Sequence, residues 1–344
     1  MSCEQQDQQE IVPLESLQKF AVELIEKAGA KPEHARALAD LIIAADHRGH
    51  YSHGMNRLDY YLQDLINGYN AVDKEPEVLK QTPATALVDG NNCLGPVVGK
   101  FCIDLAIEKA KSIGIGWVCA KGSNHFGIAG WYSMRAMEQG LIGMAFCNTS
   151  PFMIPTRGKT QTLGTNPISV AAKGNNGEEF VLDMATTAVA QGKIEINKRL
   201  GKDTMLGLGV DRNGKVKCLH LECQTCGYKG FGLGFMVEIF CGLLSGSRFG
   251  QNIRHWARHD AEADLGQCFV AINPEMFALG FESRLSELIH HCKDQTPADG
   301  EKEVLVAGDP ERSHIELCSK LGGIPYFKKQ MDFAVRLYSL TSYY

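Results

Sequence analysis

The chain carries the sequence SHGMNRL at residues 52–58 and the sequence SNHFG at residues 123–127. Each segment places an imidazole in a turn-prone setting, and the first adds Arg57 one helical turn after His53. A neutral imidazole can accept a proton near pH 7, and a guanidinium binds a carboxylate through two parallel hydrogen bonds. Together these groups predict a small substrate whose carboxylate lies beside a carbon bearing a hydroxyl or carbonyl group.

The composition is that of a folded protein rather than a disordered one. The 344 residues are 44% hydrophobic and 22% charged, enough for about two domains. A net charge of −5 argues against nucleic acid or an anionic membrane as partner. Because the first ten residues lack an apolar segment and no apolar run reaches transmembrane length, we expect a cytoplasmic protein. The 12 cysteines are then reduced and buried as small hydrophobic residues.

Hydrophobic periodicity divides the chain into a helical opening and an α/β core. Helices are predicted at 14–28, from Pro32 to about 45, and at 55–67, where glycines follow the first and third. Short strands and helices then alternate. The predicted strands are 84–88, 116–120, 142–147, 168–172, 180–183, 268–272 and 303–306, and the helices are 97–112, 128–138, 233–244, 283–291 and a closing helix after Pro310. We expect a helical segment at 11–75 that packs with helices of 310–344, and a cofactor- and substrate-binding core at 80–305.

Two common nucleotide-binding fingerprints are missing from the sequence. No G-x-G-x-x-G follows a predicted strand, and no G-x-x-x-x-G-K-[ST] occurs. The glycines at 230, 232 and 234 have the wrong spacing and lie in an apolar helical run, which favours helix packing. Any dinucleotide would therefore bind outside a Rossmann arrangement.

His53, Arg57 and Tyr61 are spaced four residues apart. If a helix begins near Gly54, they line one stripe and present imidazole, guanidinium and phenol in a row. For Arg57 the alternative is a solvated surface charge. Tyr61 also continues the apolar face of its helix, so a place in the core is an equal alternative.

Three predicted strand–helix junctions could carry chemistry. His125 follows the strand at 116–120, at the edge where ligands gather in open α/β sheets, although a capping or buried structural histidine is the alternative. Asp183 ends another strand before a predicted helix, whose free N–H groups could bind a phosphate, or Asp183 and Thr186 could simply cap that helix. Arg312, after the third junction at Gly308, could reach a ribose phosphate or be exposed.

The segment from Cys218 to Cys226 is dense in metal-ligand residue types, with His220 between cysteines. Its C-x-x-C spacing occurs in zinc sites, yet no second half-site lies nearby. We therefore expect no metal here and assign the residues as reduced thiols.

In their order along the chain, these motifs resemble the malate/L-lactate dehydrogenase family. That family has an L-sulfolactate dehydrogenase-like fold and includes ureidoglycolate dehydrogenases and piperideine-2-carboxylate reductases. The similarity covers most of the chain. The matching stretches are 46–58 (DHRGHYSHGMNRL), 123–127 (SNHFG), 148–151 (NTSP), 163–167 (LGTNP), 183–187 (DMATT), 227–232 (GYKGFG) and 308–312 (GDPER).

The resemblance implies a non-Rossmann α/β fold with a mixed sheet, a homodimer or dimer of dimers, and NAD- or NADP-dependent exchange of hydride with a 2-hydroxy or 2-oxo acid. It implies that His125 accepts the proton and that His53 and Arg57 surround the substrate. In the imine reductases Ser52, His53 and Asp183 match a proton relay, which leaves the acid/base assignment open. The residues that match cofactor contacts are Thr149, Asp183, Met184, Ala185, Lys229, Gly230, Gly308, Asp309 and Pro310.

One stretch departs from the family pattern. Between Asn197 and Gly227 the family has a longer proline- and glycine-rich approach to Lys229, and here the cysteine-rich run replaces it. Three readings therefore stand: a 2-hydroxyacid dehydrogenase, a ureidoglycolate dehydrogenase or cyclic-imine reductase on the same site, and a catalytically impaired relative that binds a metal or a partner.

Overall fold

A computed structural model of the protein describes residues 9–187, 208–210, 216–219, 227–328 and 330–331. The α-helices are α1 (Leu14–Lys27), α2 (Pro32–His47), α3 (Leu58–Ile66), α4 (Gly95–Ile113), α5 (Gly130–Met137), α6 (Gly227–Glu238), α7 (Phe281–Lys293) and α8 (Asp309–Leu321). The strands are β1 (Gln9–Val12), β2 (Glu77–Gln81), β3 (Thr85–Asp89), β4 (Ile115–Ser123), β5 (Ile142–Cys147), β6 (Ile168–Lys173), β7 (Glu179–Met184), β8 (Leu208–Val210), β9 (Val216–Leu219), β10 (Leu265–Ile272) and β11 (Ile324–Phe327). Within these ranges no helix has the length and apolar character needed to cross a membrane.

The three predicted opening helices are confirmed as α1, α2 and α3. α1 ends just before Gly29, which adopts a φ of 101° that favours glycine. Pro32 is the first residue of α2, where its missing N–H costs nothing. A short 3₁₀ turn at Met55–Arg57 leads into α3, so the helical stretch begins directly after Gly54.

The apolar faces of these helices share one core cluster with the end of the chain. Leu17 and Leu38 lie in it together with Cys318 of α8 and Tyr326 of β11. β1 pairs antiparallel with β11, which joins the segment before α1 to the segment after α8. On this packing we propose that residues 11–75 and the C-terminal elements form one structural unit beside the α/β core.

The α/β core is a seven-stranded mixed sheet, as the fold class predicts. Its strand order is β2-β3-β4-β10-β5-β6-β7. β3 and β4 run parallel, whereas β10 is antiparallel to both of its neighbours. A central antiparallel strand is foreign to the all-parallel doubly wound sheet, and this agrees with the missing glycine fingerprint.

Side chains alternate between the two faces of the sheet with a period of two. Val118 and Ala120 of β4 pack in the cluster that contains Tyr132 of α5. Cys119, between them, packs on the opposite face with Val237 of α6. Helices thus cover both faces of the sheet, and α2 of the opening segment packs on α4 and α5.

Several details differ from the sequence predictions. The strand predicted at 303–306 is wrong: this segment is irregular, and its Val306 N–H donates to the Asp309 side chain at 2.8 Å instead of to a strand. β2 was not predicted, because it is a largely exposed edge strand without apolar alternation. α6 begins earlier than predicted and widens into a π turn at Ile239–Leu243. The helix predicted after Asp183 falls beyond residue 187, outside the described residues.

Candidate active site

A cavity of about 530 Å³ lies where β4, β5 and β7 end, beside the loop that follows α2. Residues of both sequence motifs meet in its wall, although about 70 positions separate them in the chain. The wall includes Ser52, His53, His125, Thr149, Asp183 and Met184.

A buried carboxylate shapes the loop that carries His53. Asp46, in the last turn of α2, accepts the Met55 N–H at 2.8 Å and the Tyr326 hydroxyl at 2.6 Å. A Cβ added at Gly54 would overlap that carboxylate, so only glycine fits there. Burial raises the pKa of Asp46 to about 7, because the charged form loses its hydration. The loop is thus tied to the end of α2 and to β11 at once.

A rigid turn after β4 positions His125. The preceding Asn124 is buried, and its Nδ2 donates to the Cys93 carbonyl at 2.9 Å. The Gln267 side chain donates to the Asn124 carbonyl at 3.0 Å. Gly127 has a φ of 73° and packs so closely on Leu41 that a Cβ would not fit. The imidazole is therefore held by backbone that is fixed on both sides.

Three groups contact the His125 ring. The Tyr61 hydroxyl lies 2.6 Å from Nδ1, and the Gly127 N–H donates to the same nitrogen at 3.3 Å. The Trp256 indole stacks on the ring, with centroids 4.0 Å apart and 18° between the planes. Nδ1 is thus engaged within the protein, which leaves Nε2 as the nitrogen available to the cavity.

His53 lies beside His125 and is also neutral at physiological pH. The two ring centroids are 6.0 Å apart, and the Ser52 hydroxyl lies 2.9 Å from His53 Nδ1. Burial, reinforced by the Arg57 charge, lowers the pKa of His53 to about 3. The same causes, with His53 as a further neighbour, lower the pKa of His125 well below its ordinary value. Neutral imidazoles of this kind can exchange a proton with a substrate.

Arg57 is buried beside the two histidines rather than in the cavity wall. Only 6% of the residue is exposed, and its Nε–H donates to the Ser52 carbonyl at 2.9 Å. The guanidinium carbon lies 5.3 Å from the centroid of Tyr60 and 5.8 Å from that of Trp256. The solvated alternative for Arg57 is thus wrong, because aromatic faces and a backbone carbonyl enclose the group. Tyr61 is buried as well and belongs to the helical core cluster while its hydroxyl contacts His125.

The Asp183 carboxylate contacts the start of α5. Its Oδ2 accepts the Gly130 N–H at 2.7 Å, and Gly130 is the first residue of that helix. A negative charge is favoured at a helix N-terminus. Burial raises the pKa of Asp183, while His50 and Arg48 act in the opposite direction. The capping alternative foreseen for Asp183 therefore involves a different helix from the one that follows it in sequence.

The remaining cofactor candidates lie in and around the cavity. Thr149 is in the wall, where its hydroxyl accepts the Thr165 N–H at 2.9 Å. Lys229 is exposed on the first turn of α6, and the backbone of Gly230 lies too close to the Thr186 carbonyl to admit a Cβ. Met184 and Ala185 are in the wall, whereas Gly230 lies against the backbone of Thr186 and Lys229 is not among the lining residues.

The junction at the start of α8 approaches the cavity through a residue that sequence reasoning missed. Gly308 has a φ of 100°, Pro310 occupies the first turn, and Asp309 accepts from Arg312 at 2.5 Å, so Arg312 is ion-paired. Glu311 lines the cavity, with Oε1 3.4 Å from His50 Nε2. Glu311 and His50 both lie inside motifs quoted from the sequence. Their position in those motifs was the only sequence signal that could have identified them as site residues.

The cavity wall suits a flat ring that carries a carboxamide. Ile128, Cys147 and Pro167 supply apolar surface, and threonine hydroxyls at 149 and 165 can pair with an amide. A nicotinamide and a small acid together fit the chemistry of this lining, with the acid toward the imidazoles.

No metal centre is evident in the part of the chain that the structure describes. No group of three or more His, Cys, Asp or Glu side chains there could hold an ion. The eight cysteines whose side chains the structure describes are free. The side chains from Cys218 to Cys226 lie outside the described residues, so the expectation of non-ligating thiols stays a prediction.

Comparisons with known proteins agree with this geometry. A family model described as malate/L-lactate dehydrogenase matches residues 12–332. L-Sulfolactate dehydrogenase of Methanocaldococcus jannaschii is 38% identical, over 88% of this chain and 89% of the relative. Ureidoglycolate dehydrogenase (NAD(+)) of Escherichia coli O157:H7 is 32% identical, over 86% of this chain and 87% of the relative. The structure of malate dehydrogenase from Pyrococcus horikoshii OT3 superposes with a TM-score of 0.87 at 31% identity, covering 97% of this chain and 96% of the other.

Proposed function

This chain belongs to the malate/L-lactate dehydrogenase family, and on that premise we propose that it transfers a hydride between a nicotinamide cofactor and a small 2-hydroxy or 2-oxo carboxylic acid. The observation that carries the proposal is the pair of buried, neutral imidazoles at the cavity, with a guanidinium beside them. This arrangement supplies a proton acceptor and a positive charge for a carboxylate.

His125 is the proton acceptor in this proposal. In the oxidative direction its Nε2 takes the hydroxyl proton as hydride leaves the adjacent carbon. To act as acceptor the ring must carry its own proton on Nδ1, where a bond to the Tyr61 hydroxyl at 2.6 Å replaces the 3.3 Å contact from the Gly127 N–H. In the reductive direction the doubly protonated ring returns the Nε2 proton to the substrate oxygen and keeps its Nδ1 proton directed at the same hydroxyl. A hydroxyl oxygen can accept this hydrogen bond, so Tyr61 holds Nδ1–H in both states of the ring.

Arg57 and His53 orient the substrate in this proposal. The bond from Arg57 to the Ser52 carbonyl fixes the guanidinium plane beside both imidazoles. His53, paired with the Ser52 hydroxyl, supports the substrate oxygen. Tyr61 contributes to substrate binding through His125.

The cofactor, when bound, supplies the hydride chemistry. Thr149, Asp183, Met184 and Ala185 would hold its nicotinamide end at the cavity wall. Lys229, Gly230 and the Gly308–Pro310 turn, which precedes the lining residue Glu311, would hold the rest. We propose either NAD or NADP as the cofactor, and measurement with each decides the choice.

The alternative is ureidoglycolate dehydrogenase or cyclic-imine reductase chemistry at the same site. The 2.9 Å contact between Ser52 and His53 favours it, because a hydroxyl–imidazole pair can deliver a proton to nitrogen. Asp183, the third member of the relay, caps α5 and lies in the same cavity wall.

One experiment separates these functions. Malate, lactate, sulfolactate, ureidoglycolate, their oxo partners and a cyclic imine are each tested with NAD(H) and NADP(H), following nicotinamide absorbance. Turnover of a 2-hydroxy acid above the others supports the first proposal, and turnover of the imine supports the second. If none reacts and NADH fluorescence is unchanged on mixing, the chain is the impaired relative that binds a metal or partner.

We further propose a cytoplasmic homodimer or dimer of dimers. α6 and the π turn after it expose the large apolar side chains of Leu233, Phe235, Ile239 and Leu243. Exposed apolar patches of this kind commonly mark protein interfaces. Light scattering should give at least twice the chain mass of 37.7 kDa, and Phe235→Glu should reduce it. The cysteines with described side chains are free, and the cytoplasm is a compartment that keeps thiols reduced.

A further inference from the structure

Trp256 covers one face of the His125 imidazole. The ring centroids lie 4.0 Å apart with 18° between the planes. The indole is outside the wall of the cavity, whereas His125 is part of that wall. Trp256 therefore covers a face of the proposed proton acceptor without itself lining the cavity.

Buried hydrogen bonds hold the indole in place. The backbone N–H of Trp256 donates to the Ser150 hydroxyl at 3.0 Å, and its Nε1–H donates to Asp64 Oδ2 at 3.3 Å. The Asp64 carboxylate is only 3% exposed and forms an ion pair with Arg254. His259 Nδ1 lies 2.7 Å from the other carboxylate oxygen. A buried carboxylate with this many partners is a fixed anchor.

We propose that Trp256 is a positioning residue for His125 and that Asp64 anchors it. This inference rests on the proposed dehydrogenase function. An imidazole can rotate about two side-chain dihedrals, and the contacts from Tyr61 and Gly127 both fall on one atom, Nδ1. Stacking on the indole fixes the ring plane as well, so Nε2 stays aimed at the reacting oxygen. Proton transfer requires such alignment, because reacting atoms must lie about 3–3.5 Å apart.

The same indole also contacts the guanidinium of Arg57. The guanidinium carbon lies 5.8 Å from the Trp256 ring centroid, within the range of a cation–π interaction. Tyr60 packs on the indole from another side, at 5.0 Å. Trp256 thus fixes the spacing between the proposed base and the proposed carboxylate-binding group.

Nuclear magnetic resonance tests the stacking without reference to activity. In protein labelled at its histidines, the ring current of the indole should shift the His125 Cε1–H resonance upfield, and His125→Gln identifies that resonance. Trp256→Leu should abolish the shift, and Trp256→Phe should retain part of it. Trp131→Phe, which removes another indole on α5, should leave it unchanged. An unshifted His125 resonance in the wild type would overturn the proposal.

Kinetics tests the role of the stack. Trp256→Leu should lower kcat for the 2-hydroxy acid by about 10²-fold, the cost of a displacement near 1 Å, with the KM for nicotinamide unchanged. Trp256→Phe keeps the stack but not the bond to Asp64, so its kcat should remain within about tenfold of the wild type. If the leucine variant does not fold, Trp256→Phe and Asp64→Asn replace it in the test. Both variants remove the hydrogen bond between Trp256 and Asp64, and both should lower kcat.

The outcomes distinguish the positioning role of Trp256 from the proposed dehydrogenase function on which it rests. A kcat within twofold of the wild type in every folded Trp256 and Asp64 variant, with the ring-current shift lost, would overturn the positioning role and leave the dehydrogenase function intact. A wild type that oxidises no 2-hydroxy acid would overturn the proposed function and with it this role, while the resonance experiment would still establish whether the rings stack.

Discussion

At the scale of single residues, the imidazole of His125 is the group on which the proposed chemistry depends. His125→Gln keeps a hydrogen-bonding side chain of similar reach but removes the base. We expect hydride transfer to fall by about 10²- to 10⁴-fold. Binding of NADH, followed by fluorescence, should barely change, because the imidazole is assigned to the substrate side. Near-normal turnover would move the proton acceptor to His53.

The pH profile gives a second test of His125. Burial lowers its pKa, so the ring stays unprotonated below the ordinary histidine value of about 6.5. In the oxidative direction kcat/KM should therefore remain level as the pH falls through roughly 6.5 and should decline only at lower pH. This differs from the profile that an exposed histidine would give. An acidic limb centred on the ordinary value would contradict the burial argument.

Variants of Arg57 test whether the substrate carboxylate is bound by a bidentate guanidinium contact or only by a positive charge. If it binds the carboxylate, Arg57→Ala should lose about 2–5 kcal/mol of transition-state binding, measured from kcat/KM. Arg57→Lys should recover little, because an ammonium cannot keep the Ser52 bond and bind both carboxylate oxygens.

A thermal melt establishes that each Arg57 variant is folded. Arg36→Ala, which removes an exposed arginine of α2, serves as the matched control and should leave kcat/KM unchanged. Equal kcat/KM in the wild type and Arg57→Ala would refute the assignment.

At the scale of elements, the turn between α2 and α3 holds both the fold and the site. Gly54 does not have the positive φ that favours glycine, and its requirement comes from the closeness of a neighbouring side chain. Because a Cβ would overlap the Asp46 carboxylate, Gly54→Ala should lower the free energy of unfolding by about 1–3 kcal/mol in a urea titration.

Gly232 is the matched control for that experiment. It is exposed on α6, and an added Cβ would meet no neighbour. Gly232→Ala should therefore raise the free energy of unfolding by up to about 1 kcal/mol, because alanine favours helix. Equal losses in both variants would show that the overlap with Asp46 is not the cause.

At the scale of the whole molecule, Asp46 joins the opening helices to the last strand. Burial raises its pKa in the folded state to about 7, whereas the unfolded carboxyl has an ordinary value near 3.9. Between these values the folded state binds the extra proton, so this group's contribution to stability is fully present below about pH 4 and is lost as the pH rises through about 7.

Comparison with Asp46→Asn isolates that contribution. The free energy of unfolding of the wild type, relative to the variant, should fall by about 1.4 kcal/mol per pH unit across this window and level off above it. Subtracting the variant removes the titration of His53 and His125, which is common to both proteins. Parallel curves for the two proteins would mean that Asp46 does not titrate in this window.

Local signals in the sequence account for most of the elements. Gly29 and Pro32 mark where α1 ends and where α2 begins. The conformational preferences of glycine and proline are local, so these boundaries can be predicted from the sequence. The 303–306 segment was mistaken for a strand because its residues are typical of one, whereas in the structure it is irregular and the neighbouring Ala307 carbonyl accepts the Val181 N–H of β7 at 3.1 Å. Apolar periodicity indicates that one face of a helix or strand is buried, but it does not indicate which element packs against that face.

The sequence by itself determined the residue types of the site, the turns that carry them and the family that shares them. Tertiary structure alone decided which groups meet: Trp256 with His125, Asp183 with α5, and Asp46 with Tyr326. Each of these contacts joins positions far apart in the chain. Which residues come into contact depends on how whole helices and strands pack, and the local spacing of residues in the sequence does not indicate it.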